Sequence, residues 1–445
     1  MHAYILRTDS RISPFGEPAS TLPVHNEPLG MMQKRVLVGV GCSVEEIDEL
    51  ADVRRLPCVL VHDDVYFTRH AMAGFLRAVR RPIAASGQSH LMANTSPADV
   101  ANARAALAAS ELTERFTPAL QGECVEATGD QRYRAYDIYY LNQLDPRRSL
   151  AEQSALVAVP HRQTRIRSRT GRRFEPSGRF VVPVSLVFCH PVRHWSALVT
   201  INLLGMTSYF LVQLRARPLC AASLPFRMVW RSASLRPTRW LCGLYLCDHG
   251  CRIHPTACIE GAILGRHVRV GPNAVVRGTV IGDHAEIGAG ALIEGCTLGR
   301  RVVVNPNIIL RGCVILDDAT IGAYFTQLSV VGRDAVMCPT SGIADFNVQG
   351  TVRVRDGGRT VDSGSRLLGG CVGHGAFLGP HVIMACGYEL PNGSMLVPDG
   401  SAWVRDITRG LPHGVISMNE PQTAESAPSV SAQHTNGSAL LRRAS

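Results

Sequence analysis

Three places in this chain carry side chains whose types and spacing suit chemistry. The apolar run "VLVHDDVYF" ends in two acids, Asp63 and Asp64; carboxylates at a strand end suit Mg²⁺ held jointly with substrate phosphates, and equally suit a solvated turn. "VDSGSR" brings Asp362 close to Arg366, and a guanidinium matches a phosphate bidentately. In "VGHGAFLG", His374 stands at a repeat corner, where an imidazole titrating near neutrality fits proton transfer or plain exposure. A fourth cluster, Cys247, His249, Cys251 and His254 in "CDHGCRIH", has zinc-ligand residue types. It lacks the usual CxxC pair and overlaps the first repeat, so packing explains it better than metal.

The element that must position most of these residues is a seventeen-residue repeat. Leu264, Ile281, Leu298 and Ile315 recur at that interval, with Val270, Ile287 and Val304 six residues on, and Val276, Ile293 and Leu310 six further. Cys247, Ile253 and Ile259 lead in. Six-residue spacing fits neither the 3.6 period of a helix nor the alternation of one long strand. It predicts short strands joined by turns, three per coil, each with one aliphatic side chain inward, stacked edge to edge because a lone coil cannot bury its corners. After an interruption the pattern resumes at Leu368 or Val372 and continues through Leu378, Met384, Leu390 and Leu396.

Residues 1–146 read as a small α/β domain. "AYILR" is a strand, "SVEEIDELADV" starts like a capped helix with Ser43 and Glu46, "LPCVLVHDDVYF" is a buried strand, "TRHAMAGFLRAVR" an amphipathic helix and "SPADVANARAALAASELTERF" a further helix; the βαβ rhythm predicts a parallel sheet. Residues 147–246 form a connection, 247–410 the repeat domain, and 411–445 a polar tail expected to be disordered. Within the connection, Ser196–Leu214 runs nineteen residues without a charge, flanked by Arg193, Arg215 and Arg217. Its polar residues and two positive flanks favour a buried or interfacial helix over a spanning one.

Charge is concentrated. The chain is +10 overall, but His161–Trp240 holds fourteen Arg against the single acid Glu175, and Lys34 is the only lysine. That concentration favours an anionic partner such as phosphate, nucleotide or acidic lipid. "HRQTRIRSRTGRR" lacks interleaved aromatics, which argues against nucleic acid. Fourteen cysteines without paired spacing, and no signal peptide, point to the reducing cytosol.

The "IGxxxxIGxxxxI" coils resemble the left-handed parallel β-helix of hexapeptide-repeat transferases. "RTVDSGSRLLGGCVGHGAFLGPHVIM" is similar to a segment of bifunctional sugar-1-phosphate nucleotidyltransferase/acetyltransferases, relatives of N-acetylglucosamine-1-phosphate uridyltransferase, in which a nucleotidyltransferase domain precedes the β-helix. The resemblance implies a homotrimer with acyl sites between neighbouring β-helices, acyl-CoA as cosubstrate, Mg²⁺ on Asp64, and a phosphorylated or nucleotide-linked sugar held by Asp362, Arg366 and Asn347. The departures lie at the chemistry. The phosphate loop's glycines are missing before Arg11, Ala19 replaces a lysine, and Asp63 a glycine. Gln327, in "FTQLSVVG", stands where the family has its general-base histidine, and glutamine takes no proton at neutral pH. His374 is then the candidate substitute base. "FNVQG" keeps Asn347 and Gly350 without the family's aromatic residue.

Two functions follow. One is a hexapeptide acyltransferase fused to a reduced nucleotidyltransferase-like domain. The other is a non-catalytic trimer that binds a sugar nucleotide or serves as a scaffold, cytoplasmic, with a peripheral membrane contact through Ser196–Leu214.

Overall fold

Stacking closes the repeat on itself. In the computed structural model, which describes residues 1–80, 102–108, 124–126, 132–160, 164–169, 179–232 and 243–398, the repeats wind into a parallel β-helix with two eight-stranded faces and one five-stranded face. Ile263–Leu264 pairs with Val280–Ile281, which pairs with Thr297–Leu298 and that with Val314–Ile315, one coil per seventeen residues. Leu264, Val276, Ile281, Ile293, Leu298, Leu310 and Ile315 are all but inaccessible.

A coil that turns three times in so few residues needs left-handed backbone at each corner. One corner uses Gly261, Gly278, Gly295 and Gly312; a second His267, His284, Arg301 and Asp318; a third Asn273, Gly290 and Asn307, all at positive φ. Glycine, asparagine and aspartate tolerate that region best. Coil-to-coil spacing imposes its own demand: a Cβ on Gly288 would lie 2.5 Å from the nitrogen of Pro306. On the outside, Arg266–Asp283, Arg300–Asp317, Arg277–Glu294 and Arg301–Asp318 repeat the seventeen-residue interval as ion pairs. Such exposed pairs contribute at most about 1 kcal/mol each.

The interruption has two parts. The coil first shortens by one residue, so that Leu328, at φ 49, takes the corner that Gly312 fills one coil earlier. The chain then leaves the stack after Ile343 and returns at Cys371–Val372, which pairs with Val330–Val331. Of the two resumption points the sequence allows, Val372 is therefore the one in register. Leu368 is buried instead in the core shared with the N-terminal half.

That half is built on a mixed sheet. Its main path runs through β1 (His2–Leu6), β2 (Ser43–Ile47), β3 (Cys58–His62), β5 (Asn102–Ala108), β6 (Arg132–Leu141) and β7 (Ala155–Ala158), in the order β7-β5-β6-β3-β1-β2, with the short strand Cys124–Glu126 paired to β6 off this path, and the short β4 (Val65–Phe67) pairs with β8 (Cys189–Pro191). β1 is parallel to both neighbours; β6 runs antiparallel to β3 and β5. Helices α1 (Leu29–Gly39) and α2 (Arg69–Arg80) cover one face. α2 and β3 are as the sequence predicts.

Two helix expectations fail. Ser43–Ile47 is an edge strand, paired residue for residue with His2–Leu6, so sheet pairing wins over the local capping signal. Asn102–Ala108, rich in alanine, is a strand held between β6 and β7; the rest of that expected helix, residues 96–101 and 109–116, lies outside the described residues, as do the polar tail and much of the basic run after His161.

The apolar stretch is α3 (Ser196–Ala216), which is long and apolar enough to cross a membrane. Its N-terminal half is core: Ala197, Leu198, Val199 and Ile201 are buried among residues of the sheet and of the β-helix. Asn202 fixes it in place, donating to the carbonyl of Gly295 at 2.6 Å and accepting from Thr297 Oγ1 at 2.7 Å. The next helix, α4 (Pro218–Ser232), carries a proline, Pro225, within it.

Ile293→Ala, at a fully buried inward position of the strand Leu292–Glu294, is expected to lower unfolding stability by about 2–5 kcal/mol. Ile383→Ala, where 75% of the residue is exposed, changes it by less than about 0.5 kcal/mol. Denaturant titration of both variants checks this.

Burial also holds two histidines neutral, His25 down to about 3 and His190 down to about 4. Their folded pKa values lie below the unfolded 6.5, so their contribution is present above that pH and is lost as pH falls through the interval. Between pH 6.5 and 5 each costs about 2 kcal/mol. Urea midpoints at the two pH values test this, and His25→Asn, which keeps a residue suited to φ 50, is expected to reduce the fall by about half.

Candidate functional site

β1 and β3 run parallel, and Asp63 and Asp64 follow directly on the C-terminal end of β3, the edge at which open α/β sheets place their ligands. Asp63 is buried there and accepts from the backbone N–H and hydroxyl of Thr8, at 2.9 and 2.7 Å. Asp64 is buried beside it. Its Oδ2 accepts from Arg193 Nε at 2.9 Å, while Oδ1 is buried without a partner. The other arm of Arg193 reaches Asp137 on β6 at 2.7 Å. Asp137 also accepts from Arg104 Nη2 and from the Tyr139 hydroxyl, both at 2.8 Å, with His62 Nδ1 3.9 Å away.

The electrostatics follow from these partners. Burial pushes the Asp64 carboxyl up, against the pull of Arg193. Burial pushes Asp137 the same way, but His62, Tyr139, Arg104 and Arg193 together bring it below the usual carboxylate range. One guanidinium thus bridges two carboxylates at the place where the resemblance puts Mg²⁺. Among the described residues no group of three or more His, Cys, Asp or Glu is arranged to hold a metal ion. The side chains present do not fit Mg²⁺, since Arg193 already occupies the facing oxygens of Asp64 and Asp137 and leaves Asp64 Oδ1 as the one oxygen of the pair it bridges without a partner among the described residues.

His374 lies at a junction between the two halves. Its ring stacks on Phe15, with centroids 4.6 Å apart. Nδ1 accepts from the backbone N–H of Arg333 at 2.8 Å, which leaves the proton of the neutral ring on Nε2, 3.4 Å from Glu17 Oε1. Arg333 also pairs with Glu17. Burial lowers the imidazole's pKa, and Glu17 only partly offsets it. Asn392 completes the clasp, accepting from the backbone N–H of His374 at 2.8 Å and donating to the carbonyl of Phe15 at 3.0 Å. A ring so enclosed has no nitrogen lone pair left for an acceptor substrate.

Asn347, Asp362 and Arg366 do come together, in the excursion between Ile343 and Cys371. β9 (Arg353–Asp356) and β10 (Arg359–Asp362) form an antiparallel hairpin there. Asn347 Nδ2 donates to the carbonyl of Thr351 at 2.8 Å, and Thr351 Oγ1 donates to Asp362 Oδ2 at 2.7 Å. The second oxygen of Asp362 accepts from the Gly364 N–H, and these two bonds depress its pKa. The exposed Arg366 adds a backbone link to Asn347 at 2.9 Å. Gln327 ends the strand Phe325–Gln327, next to the shortened corner, and its carbonyl accepts from Ser329 Oγ at 2.8 Å.

Sequence reasoning missed Arg193 and Asp137. Arg193 carried a signal, a charge flanking an apolar stretch, but its partners lie 129 and 56 residues away. It also missed Glu389, which ties the last coils to the N-terminal half: it accepts from Ser13 Oγ at 2.6 Å and Trp195 Nε1 at 2.9 Å, with His194 Nε2 3.4 Å away.

Residues 229–350 match the family model for the GMPPB C-terminal domain, just over a quarter of the chain. Among solved structures, a candidate acetyltransferase from Bacillus cereus is similar at 15% identity over 35% of this chain and 70% of its own, with a TM-score of 0.15. No curated protein matches.

Arg193→Met leaves Asp64 and Asp137 without their shared counter-charge. Because the arginine side chain is 37% exposed, the expected loss is about 2–3 kcal/mol, below that of a fully buried pair. Millimolar Mg²⁺ is expected to leave the wild-type melting temperature unchanged and to raise that of the variant. Thermal denaturation with and without the ion checks both. Residues 229–350, which the family model matches, include the first coils of the repeat domain, a parallel β-helix similar there to the GMPPB C-terminal domain.

Proposed function

We propose that this chain is a sugar-nucleotide-related protein that binds a phosphorylated or nucleotide-linked sugar without transferring an acyl group, with the β-helix as its scaffold and trimerisation surface. The observation that carries this reading is the clasp around His374, whose Nδ1 already accepts from the Arg333 N–H; its sugar-nucleotide part rests on the match of residues 229–350 to the GMPPB C-terminal domain. In the N-terminal half the bridge of Arg193 balances Asp64 and Asp137 without a metal. Arg11, three residues after Thr8, donates from its guanidinium to the carbonyl of Gly16 and has no carboxylate partner among the described residues, which suits it to pairing with a phosphate. The clasp around His374 and the glutamine at position 327 both weigh against proton abstraction in the β-helix.

The acyltransferase reading keeps one supporting feature. A groove of about 720 Å³ runs along the first coils, lined by His254, Arg269, Gly271, Glu286, Gly288 and Asn305. In the family's trimer such a face would meet a neighbouring β-helix and acyl-CoA.

Calorimetric titration with GDP-mannose and UDP-N-acetylglucosamine separates the two. Binding of at least one, weakened about tenfold in Arg11→Ala, is the expected result, together with no acetyl-CoA consumption. Failure to bind either nucleotide sugar would sink the binding reading. Acetyl-CoA turnover that disappears in His374→Ala would replace it with the acyltransferase.

A further inference from the structure

The sequence points to Ser196–Leu214 as the membrane-facing segment, but α3 spends its apolar surface inside the protein. Its neighbour does the reverse. On α4, Leu219, Phe226 and Trp230 are 86, 71 and 77% exposed. Seven and then four residues apart, they share one face of the helix, and the rings of Phe226 and Trp230 stack with centroids 6.3 Å apart.

The opposite side of α4 is anchored. Leu224 is buried, Arg231 lies over the ring of Tyr245 at 3.6 Å, and the same guanidinium donates to the carbonyl of Tyr245 at 2.8 Å. The exposed face is therefore held outward by contacts behind it. Three large apolar side chains presented together to water mark a surface that meets something apolar.

Charge identifies what it meets. From Pro176 to Cys247 there is no acid; of the arginines on and beside α4, Arg217 pairs with Asp248, and Arg227 and Arg231 turn inward to Cys247 and Tyr245. Arg215, at the end of α3 just before α4, is exposed, with His70 Nε2 3.4 Å away. Tryptophan and phenylalanine on one face, with arginine beside them and no acid, match the headgroup layer of an anionic bilayer, where aromatic rings sit at the interface and each basic side chain adds about 1 kcal/mol.

We propose that α4 lies in the plane of an anionic membrane surface, with Leu219, Phe226 and Trp230 inserted to headgroup depth and Arg215 on a lipid phosphate. α3 stays in the protein core and does not cross. The proposal is independent of the sugar-nucleotide reading.

The test is flotation of the full chain with phosphatidylglycerol-containing vesicles and with pure phosphatidylcholine vesicles, read alongside Trp fluorescence. Expected are flotation with the anionic vesicles only, a blue-shifted emission, and release at high salt. Phe226→Ser/Trp230→Ser is expected to bind roughly a hundredfold more weakly with an unchanged melting temperature, since both side chains are exposed. Absence of flotation, or flotation equal in the two lipids and in the variant, overturns the proposal. So does sedimentation showing that the wild type self-associates and the variant does not, which would assign the face to a second copy of the chain.

Discussion

With strands paired every seventeen residues, each coil hands backbone N–H groups to carbonyls sixteen residues along, and this single register constrains everything else. Gly265 to Ile281, Gly282 to Leu298 and Gly299 to Ile315 are successive rungs of it, each 2.8 Å. Buried amides cannot be left unpaired without a cost of about 1–3 kcal/mol apiece. Once the register is set, the corners must be left-handed, the inward positions must be aliphatic, and any extra residues must leave the stack as a loop. The two breaks in the repeat obey this. One coil drops a residue at a corner, and the next lets out a hairpin before returning in phase at Val372.

Both breaks face the N-terminal half. Leu328, from the shortened corner, and Val352, Val354 and Leu368, from the excursion, share a core with Trp195, Leu198 and the sheet. The irregular part of the solenoid is what the other half grips, and α3 is the wedge between them. Glu389 reinforces the junction: burial opposes its ionisation, but His194, Ser13 and Trp195 hold the carboxylate below its ordinary range. The same tight fit that joins the halves encloses His374, so the position best placed in sequence for proton transfer is occupied with assembly.

The β-helix was legible because its signal is local and periodic: Leu264, Ile281, Leu298 and Ile315 declare themselves without reference to distant residues. The strands Ser43–Ile47 and Asn102–Ala108 were not, because their local chemistry favours a helix and only pairing with strands far along the chain overrides it. The carboxylate pair at the end of β3 was visible, yet its meaning depended on Arg193, which no spacing rule connects to Asp64. The apolar stretch Ser196–Leu214 was visible as composition, but which of its side chains face the core was not, since hydropathy does not distinguish a side chain facing a core from one facing water.

Arg193 has one more consequence. A counter-charge delivered by a side chain is present in every copy of the folded protein at a fixed stoichiometry. A dissolved ion would instead be taken up or lost with its concentration and with competing chelators. The charge balance at the end of β3 is therefore independent of ion supply.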